Sequence, residues 1–585
     1  MWMSDKRICR HRTALFLVWP FQFCRCAAAW VFAGVAIILP ILGVAADEDE
    51  LRRQLERERE LRDRLETRPD VRLDTPKPAA AAPLLPTGES PCFVINNIAL
   101  GGSLAGRFAW ALAAADPPQD PATGRCLGVA GINAVVHRVQ NAIIAGGYIT
   151  TRVLVQPQDI SGGRLVLSVA PGRVREIRGV QGNLPGTLVA AAFPARPGEL
   201  LNLRDLEQAL ENFRHAPSVD ADIQIVPSAA GEPGDSDILV NWRQNRPVRL
   251  AVSLDDAGSE ATGKYQGAVT LFWDNPLLLN DSFYVNVNRA LGGGAAGERG
   301  TQGYTAHYSV PAGYWSWGVT AGGHDFHQQV QGINQTYTYS GTSRNGEVRL
   351  SRLLHRDRTG KTGVALAVWL RESSNYVDDA EIELQHRRMA GWILELNHRQ
   401  YLNGSTLTVS LGYRRGADIL GALPAPEEAT GEGTSRAVLV TADAQLSHPF
   451  RAGKHFLYYT AQWRAQWNQT PLVPQDLFAI GGRYTVRGFD GETVLSGECG
   501  WLVRNELGIP IGGGGQQVYV GADYGTVGGP STKLQPGTKL AGAVMGLRGG
   551  GKGWGYDVFI GVPLSKPAGF KTAANTAGFQ LGYQL

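Results

Sequence analysis

The sequence has little net charge and, after residue 46, no long apolar run. Its 585 residues carry a formal net charge of +3, which gives no electrostatic reason to expect a nucleic acid or another polyanion as partner. No stretch after Ala46 is apolar enough to form a membrane-spanning helix. A Walker-type phosphate loop and a G-x-S-x-G nucleophile motif are also absent from the sequence. These absences disfavour a nucleic-acid binder, a nucleotide-driven mechanism and a serine hydrolase.

Cysteine is scarce as well. Three of the six cysteines lie in the first 46 residues, which leaves Cys92, Cys126 and Cys499. Cys92 and Cys126 fall in one small predicted domain, and in an oxidising compartment a disulfide between them would stabilise the fold by about 3 to 4 kcal/mol in the loop-entropy model. Metal binding is the weaker interpretation, because no histidine lies at ligand spacing from the two thiols.

The N-terminal segment has the features of a secretory signal. A basic start precedes two apolar runs, which end in small residues just before the acidic sequence DEDE at 47–50. This order predicts a signal peptide over 1–46 and export of the rest of the chain. The alternative is an inner-membrane anchor, since about twenty apolar residues can span a bilayer.

A charged helix and a linker are predicted next. Over 47–74, leucines recur at helical spacing and glutamate and arginine residues lie four positions apart, which favours a charged, weakly amphipathic helix over about 47–68. Residues 75–90 are rich in proline and alanine and predict a semi-rigid linker. A polar helix on a tether could enter and leave a polar cavity, although a solvated helix or a short coiled coil is the simpler interpretation.

Two segments of similar size follow, 91–174 and 175–248. Each predicts a strand, then a helix, then a pair of strands. The same order in both segments predicts a tandem of small α+β domains.

From 249 to 585 the hydrophobic pattern has a period of two. In the sequence LYYTAQWRAQW, at 457–467, alternate residues are apolar or aromatic while the residues between them are mostly polar. Segments of about ten residues with one apolar face and aromatic ends are typical of a transmembrane β-barrel. At about 21 residues per strand and turn, this region would form about 16 antiparallel strands around a lumen wide enough to hold water.

Two motifs in this region carry a family resemblance. They are GGRYTVRGF at 481–489 and VYVGADYG at 518–525. Together with the order of helix, linker, two α+β domains and barrel, they resemble the outer-membrane transporters of two-partner secretion systems. These form the haemolysin secretion/activation (TpsB; ShlB/FhaC/HecB) family, whose barrels follow polypeptide-transport-associated (POTRA) domains. The resemblance extends over essentially the whole chain after the predicted signal.

The resemblance implies a set of site residues. It places a tetrad at the tip of a long loop that folds back into the barrel, where its arginine pairs with an aspartate on a lumen-facing strand. In this sequence the tetrad is Val486, Arg487, Gly488 and Phe489, and the aspartate is Asp523.

The residues themselves support this assignment. The period of two turns Asp523 towards the lumen, and the glycines Gly481, Gly482 and Gly488 allow tight turns in the loop. The alternative is that Arg487 only sets the charge of the pore. If the Arg487–Asp523 pair is sheltered from water, removing one partner would cost about 3 to 5 kcal/mol. In a wet lumen the cost would fall below about 1 kcal/mol.

The resemblance also implies a function. It indicates export of one large, unfolded TpsA-like exoprotein, of the haemolysin or filamentous-adhesin type, across the outer membrane by two-partner (type Vb) secretion, with or without activating it. The α+β domains would lie in the periplasm and would bind the client at exposed strand edges, and helix 47–68 would occupy the lumen at rest. Outer-membrane lipids and, during biogenesis, the barrel-assembly machinery are the other expected partners. No nucleic acid, cofactor, metal or catalytic residue is expected.

Three other functions stay open from the sequence. A barrel-assembly factor of the same superfamily is the main alternative, although better-known bacterial insertases have more POTRA domains. An enzyme built on a barrel could use His324 or His327 as a base, but no nucleophile motif accompanies them. A plain porin would not need the N-terminal domains.

Overall fold

The computed structural model describes residues 42–66, 69–74, 84–180, 184–229, 232, 234–512 and 514–585. Most of the predicted signal peptide, 1–41, and much of the predicted linker, 75–83, lie outside the described residues. Among the described residues, no helix is both long enough and apolar enough to cross a membrane.

The described chain begins with helix α1, Leu42–Leu65. Its polar character follows from the repeated glutamates and arginines, and Arg53 pairs with Glu50 within the helix at 2.8 Å. After the helix, residues 69–74 have no regular secondary structure. Pro69 favours an extended residue before it, so a helix is expected to end upstream of it.

The first α+β domain packs helix α2, Val129–Ala145, against short strands. These strands are Phe93–Ile95, Asn97–Gly101, Arg125–Leu127, Arg152–Leu154 and Arg164–Ala170. The apolar face of α2 contributes Val135, Val139 and Ile143 to a fully buried core. A disulfide joins Cys92, which directly precedes the strand Phe93–Ile95, to Cys126 on the paired strand Arg125–Leu127, with the two Cα atoms 5.3 Å apart.

The second α+β domain also ends in a pair of strands after its helical part, but it has one strand before two helices, where the first domain has three strands before one α-helix. Helices α3, Gly186–Ala192, and α4, Leu203–Phe213, pack on the strands Val174–Gly179, Val219–Pro227 and Ser236–Gln244. The side chain of Asn202 caps α4 by accepting a hydrogen bond of 2.8 Å from the backbone N–H of Arg204. Val71, from the segment after α1, is part of this domain's apolar core.

The remaining chain forms a closed antiparallel barrel of sixteen strands, numbered β1–β16 from the N-terminal end. Strand β16 pairs with β1, which closes the barrel. The strands are β1 Val248–Asp255, β2 Tyr265–Asp274, β3 Ser282–Gly292, β4 Arg299–Ala312, β5 Trp315–Gln331, β6 Thr336–Arg356, β7 Gly360–Val377, β8 Arg387–Leu402, β9 Ser405–Gly416, β10 Val438–Ala452, β11 His455–Asn468, β12 Cys499–Ile511, β13 Gln516–Gly528, β14 Lys539–Gly551, β15 Trp554–Ser565 and β16 Thr576–Gln584. The predicted barrel of about sixteen strands is confirmed.

The second domain is attached to the turns at one end of the barrel. The side-chain amide of Asn212 on α4 donates hydrogen bonds to the carbonyl oxygens of Ala192, at 2.7 Å, and Gly313, at 2.8 Å. Asn280, in the turn between β2 and β3, donates to the carbonyl oxygen of Leu188 at 2.9 Å. These two asparagine side chains connect α3 and α4 to two barrel turns. They fix the second domain at the entrance of the lumen.

Candidate functional site in the barrel lumen

The connection between β11 and β12, residues 469–498, folds back into the barrel. Its stem is a short antiparallel pair, Phe478–Ile480 with Leu495–Gly497. Apolar side chains of the loop are buried against the barrel wall in one cluster, which consists of Phe478, Ile480, Val486, Phe489, Leu495, Leu502, Val527, Leu540 and Phe570. Burial of these side chains holds the loop tip, residues 481–491, inside the lumen.

Arg487 lies at this tip and contacts the wall through four hydrogen bonds. Its Nε and Nη2 donate to the two carboxylate oxygens of Asp523 at 2.7 and 2.9 Å, and its backbone N–H donates to Asp523 Oδ2 at 3.0 Å. Its Nη1 donates to Glu506 Oε2 at 2.8 Å. The side chains of Arg487 and Asp523 are 8% and 1% exposed, so the pair is sheltered from water.

The tip rests on glycines of two adjacent strands, β13 and β14. On β13, a Cβ atom on Gly521 would lie 2.7 Å from Arg487 Nη2. A Cβ atom on Gly525 would lie 2.8 Å from Val486 Cγ2. A Cβ on Gly542 of β14 would lie 1.9 Å from the carbonyl oxygen of Arg487. These contacts are shorter than side chains allow, so the missing side chains create the space that the loop tip fills.

Backbone geometry explains two of the three loop glycines. Gly481 and Gly488 have φ angles of +111° and +97°, a region that favours glycine. A Cβ on Gly488 would also lie 2.5 Å from the carbonyl oxygen of Val562 on β15. Gly482 has no such φ angle; its N–H, like that of Gly481, donates to Thr485 Oγ1 in a tight turn.

Further residues of the site were not predicted from the sequence. Glu506 on β12 also accepts a hydrogen bond from Arg548, and Arg504 Nε lies 3.9 Å from Asp523 Oδ2. Arg504 and Glu506 are two positions apart on one strand, so the period-of-two pattern could have placed both in the lumen.

A second anchor lies at the base of the loop. Asp476 is 2% exposed and pairs with Arg371 on β7, at 3.3 Å, and with Arg414 on β9, at 2.9 Å. The guanidinium of Arg414 also lies 4.1 Å from the ring centroid of Trp369. The loop is therefore fixed at two places on different parts of the barrel wall.

Helix α1 lies inside the barrel and contacts several strands through charged side chains. Arg57 pairs with Asp255 on β1 at 3.0 Å, and Arg59 pairs with Asp443 on β10 at 2.7 Å. Asn345 on β6 donates to Glu58 at 3.0 Å. Arg53 donates to the carbonyl oxygen of Gly491 at 2.7 Å, which connects α1 to the loop tip. Most of these contacts are polar, so α1 is held in the lumen mainly by ion pairs and hydrogen bonds.

The two histidines considered as catalytic bases lie on β5. His324 is close to Glu50 of α1, and its ring stacks near that of Phe326. Among the described residues, no hydrogen bond joins either ring to a serine or cysteine, and no group of three or more His, Cys, Asp or Glu side chains is arranged to hold a metal ion.

Comparisons with known proteins give a consistent result. A family model described as haemolysin secretion/activation protein ShlB/FhaC/HecB matches residues 234–549. Models of the ShlB-type POTRA domain and of the POTRA domain match residues 93–172 and 174–227.

Individual relatives agree with the family match. The outer membrane transporter CdiB-2 of Burkholderia pseudomallei (strain 1026b) is 39% identical over 553 residues, which cover 92% of this chain and 94% of that protein. The hemolysin transporter protein HpmB of Proteus mirabilis is 25% identical, over 67% of this chain and 68% of that protein. The solved structure of CdiB from Acinetobacter baumannii superposes with a TM-score of 0.80 at 28% identity and covers 92% of this chain and 99% of that chain.

The family match, the relatives and the fold lead to one assignment. The family model extends over more than half of the chain, and the matched relatives carry the names of transporters. These findings favour the secretion branch over the barrel-assembly factor considered above. This chain belongs to the haemolysin secretion/activation protein family ShlB/FhaC/HecB, as an outer-membrane transporter whose two POTRA domains lie in the periplasm.

Proposed function

We propose that this protein exports one large, unfolded partner exoprotein, of the haemolysin or filamentous-adhesin type, across the outer membrane by two-partner secretion. The observation that carries the proposal is a closed sixteen-strand barrel whose lumen holds a charged helix mainly through polar contacts. A barrel of this size can enclose a water-filled channel. In this function, α1 closes the channel at rest and leaves it during transport.

Ion pairs suit a closure that has to be reversible. When α1 leaves, the charged groups of helix and wall regain water, whereas an apolar plug would expose apolar surface at a cost of about 25 cal/mol per Å². The folding of the client outside the cell supplies the driving force, because a folded client cannot return through the channel. The chain itself performs no chemical reaction in this scheme.

The POTRA domains receive the client. The strand Arg152–Leu154 forms one edge of a three-stranded sheet, and Leu154 is 50% exposed. An exposed strand edge of this kind can pair with an extended chain through backbone hydrogen bonds. Outer-membrane lipids surround the barrel, and the barrel-assembly machinery inserts it during biogenesis.

The test is secretion of the candidate client by cells that carry wild type, Arg487→Ala or Asp523→Ala, with the amount of barrel in the outer membrane measured in parallel. We expect both variants to lose export while the barrel is still present, because the loop tip loses its anchor. Arg451→Ala, at an exposed position at the end of β10, is the matched control. Normal export by both variants would reduce the pair to pore lining, and a wild-type barrel that exports no client would refute the proposed function.

A further inference from the structure

Residues 69–74, here called the strap, cross between the barrel and the second POTRA domain. The strap follows α1 and lies between helix α4 and the periplasmic ends of β6, β7 and β8. Exposure alternates along it: Val71 is 8% exposed and Leu73 is partly buried, whereas Arg72 and Asp74 are exposed. This alternation is that of an extended chain with one face on a surface.

Side chains of α4 recognise the backbone of the strap. The N–H groups of Val71 and Leu73 donate to Glu211 at 3.0 Å and to Glu207 at 2.9 Å. Two residues of an extended chain span about 6.6 Å, and four residues of a helix span about 6 Å, so the two spacings match. Arg356 completes the contact by donating to the carbonyl oxygen of Val71 at 2.5 Å.

The side chains of the strap also have defined partners. Val71 and Leu73 pack on the apolar core of the second POTRA domain. Asp70 pairs with Lys361 at 3.0 Å and accepts a hydrogen bond from Tyr401 at 2.5 Å. Burial raises the pKa of Asp70, but the hydrogen bond from Tyr401 and the charge of Lys361 outweigh this effect and hold the pKa below its ordinary value. The site thus binds an acidic residue followed by apolar residues at the first and third positions.

The groups that bind the strap also hold one another in place. Arg356 pairs with Glu207 and with Glu211, each at 3.0 Å, and Lys361 pairs with Glu211 at 3.0 Å. Without the strap these charges would remain paired, next to an open apolar groove. A site whose polar groups are already oriented binds a peptide with a small loss of conformational entropy.

The strap also limits the movement of α1. Three residues separate Leu65 from Pro69, so the end of the helix stays within about 14 Å of the start of the strap. A helix of 24 residues is about 36 Å long. To leave the lumen towards the periplasm α1 must move by roughly its own length, which this tether does not allow while the strap is bound.

We propose that the strap occupies a peptide-binding site for the client. An extended client segment with an acidic residue followed by apolar residues at the first and third positions displaces the strap and so frees α1. The proposal rests on the export function above, but its main test needs no export.

The probe is a fluorescent synthetic peptide with the sequence of residues 69–74, added to the full-length protein in detergent and followed by anisotropy. The strap of the wild-type protein competes at an effective concentration in the millimolar range. We therefore expect the double variant Val71→Ser/Leu73→Ser to bind the peptide with an apparent Kd at least tenfold lower than that of wild type. The variant Asp74→Ser, altered at the neighbouring exposed position, should behave as wild type.

Two further measurements make the result decisive. A peptide with serine at the positions of Val71 and Leu73 should not bind, and a photoreactive group at the position of Arg72 should label β8 near Tyr401, whose ring lies 4.2 Å from the Arg72 guanidinium. Labelling can be measured on wild type at high peptide concentration, so it does not depend on the folding of the double variant. Equal binding of both peptides, or labelling elsewhere, would overturn the site.

The client is tested by competition. Unfolded candidate exoprotein should displace the labelled peptide from the double variant, and failure to displace it would refute the client as the occupant. An absence of peptide binding together with normal export would refute the strap site as a peptide-binding site and would leave the proposed export function intact. Peptide binding by a protein that exports nothing would refute the export function and leave the strap site intact.

Discussion

At the scale of single residues, the loop tip depends on one guanidinium. Arg487 has a bidentate pair with Asp523 and a further bond to Glu506, and the carboxylate of Asp523 is 1% exposed. Breaking a buried pair of this kind leaves an uncompensated charge. The burial of the pair therefore supports the larger of the two costs considered from the sequence for removing one partner, about 3 to 5 kcal/mol.

The first prediction concerns the two carboxylates around Arg487. Asp523→Asn should weaken the anchoring of the loop tip by about 3 to 5 kcal/mol, because it removes the buried partner. Glu506→Gln should have a smaller effect, since Arg487 keeps its bidentate pair and Glu506 is shared with Arg548. Hydrogen exchange of residues 481–491 measures the anchoring; equal exchange in the two variants would contradict this ranking.

A second prediction concerns the glycines of the loop tip. Gly488→Ala should displace the tip and abolish export, because its Cβ would lie 2.5 Å from a backbone oxygen of β15. Gly491→Ala is the matched control, with a φ angle of +79° but its nearest neighbour 3.7 Å away. Only conformational strain of about 1 to 2 kcal/mol is expected there. Export at wild-type level by Gly488→Ala would show that the close contact is not needed.

The sequence predicted part of this site. The alternation of apolar and polar residues along the strand indicated that Asp523 faces the lumen. The family resemblance indicated that Arg487 is its partner. Asp476 was not predicted, because it lies in a 3-10 helix of three residues, Pro474–Asp476, which is too short for a periodicity to indicate its direction. Its partners, Arg371 and Arg414, come from strands far away in the sequence, and no local pattern connects them.

At the scale of elements, α1 is a helix whose position depends on contacts of unequal strength. The side chains of Arg57 and Asp255 are 13% and 11% exposed. Those of Arg59 and Asp443 are 47% and 25% exposed. Exposed pairs contribute less than about 1 kcal/mol and are screened by salt. Removing one partner of a sheltered pair costs more, because the other charge is left without compensation.

The third prediction follows from this difference. Arg57→Ala should raise the open probability of the channel in planar bilayers, because it leaves Asp255 without its partner in the helix. Arg59→Ala should change the open probability much less. Higher salt should also increase opening beyond the rise in bulk conductivity. The reverse order of the two variants would show that these ion pairs do not hold α1 in the lumen.

The bounds of α1 and the strap show what local sequence can predict. Leucines at helical spacing predicted a helix, and the structure has it over Leu42–Leu65. The next residues were assigned to the same segment, but 69–74 are irregular and bind α4. Their contacts could not be predicted, because Tyr401 lies 331 residues from Asp70.

At the scale of the whole molecule, the helix, the loop and the second POTRA domain are mechanically connected. Arg53 joins α1 to the loop tip, the strap joins α1 to α4, and Asn212 joins α4 to the barrel. Through these contacts we expect a displacement at the periplasmic entrance to reach the centre of the lumen. The order of these modules was evident from the sequence, whereas the connections between them required the three-dimensional structure.

The glycine surface beneath the loop tip has a consequence for the evolution of the protein. The loop tip fits because Gly521, Gly525 and Gly542 have no side chains, so every substitution at these positions enlarges the residue. Selection for faster or slower export thus has no gradual route through these positions. We expect adaptation to a new client to proceed through other parts of the molecule, such as the helix, the strap and the periplasmic domains.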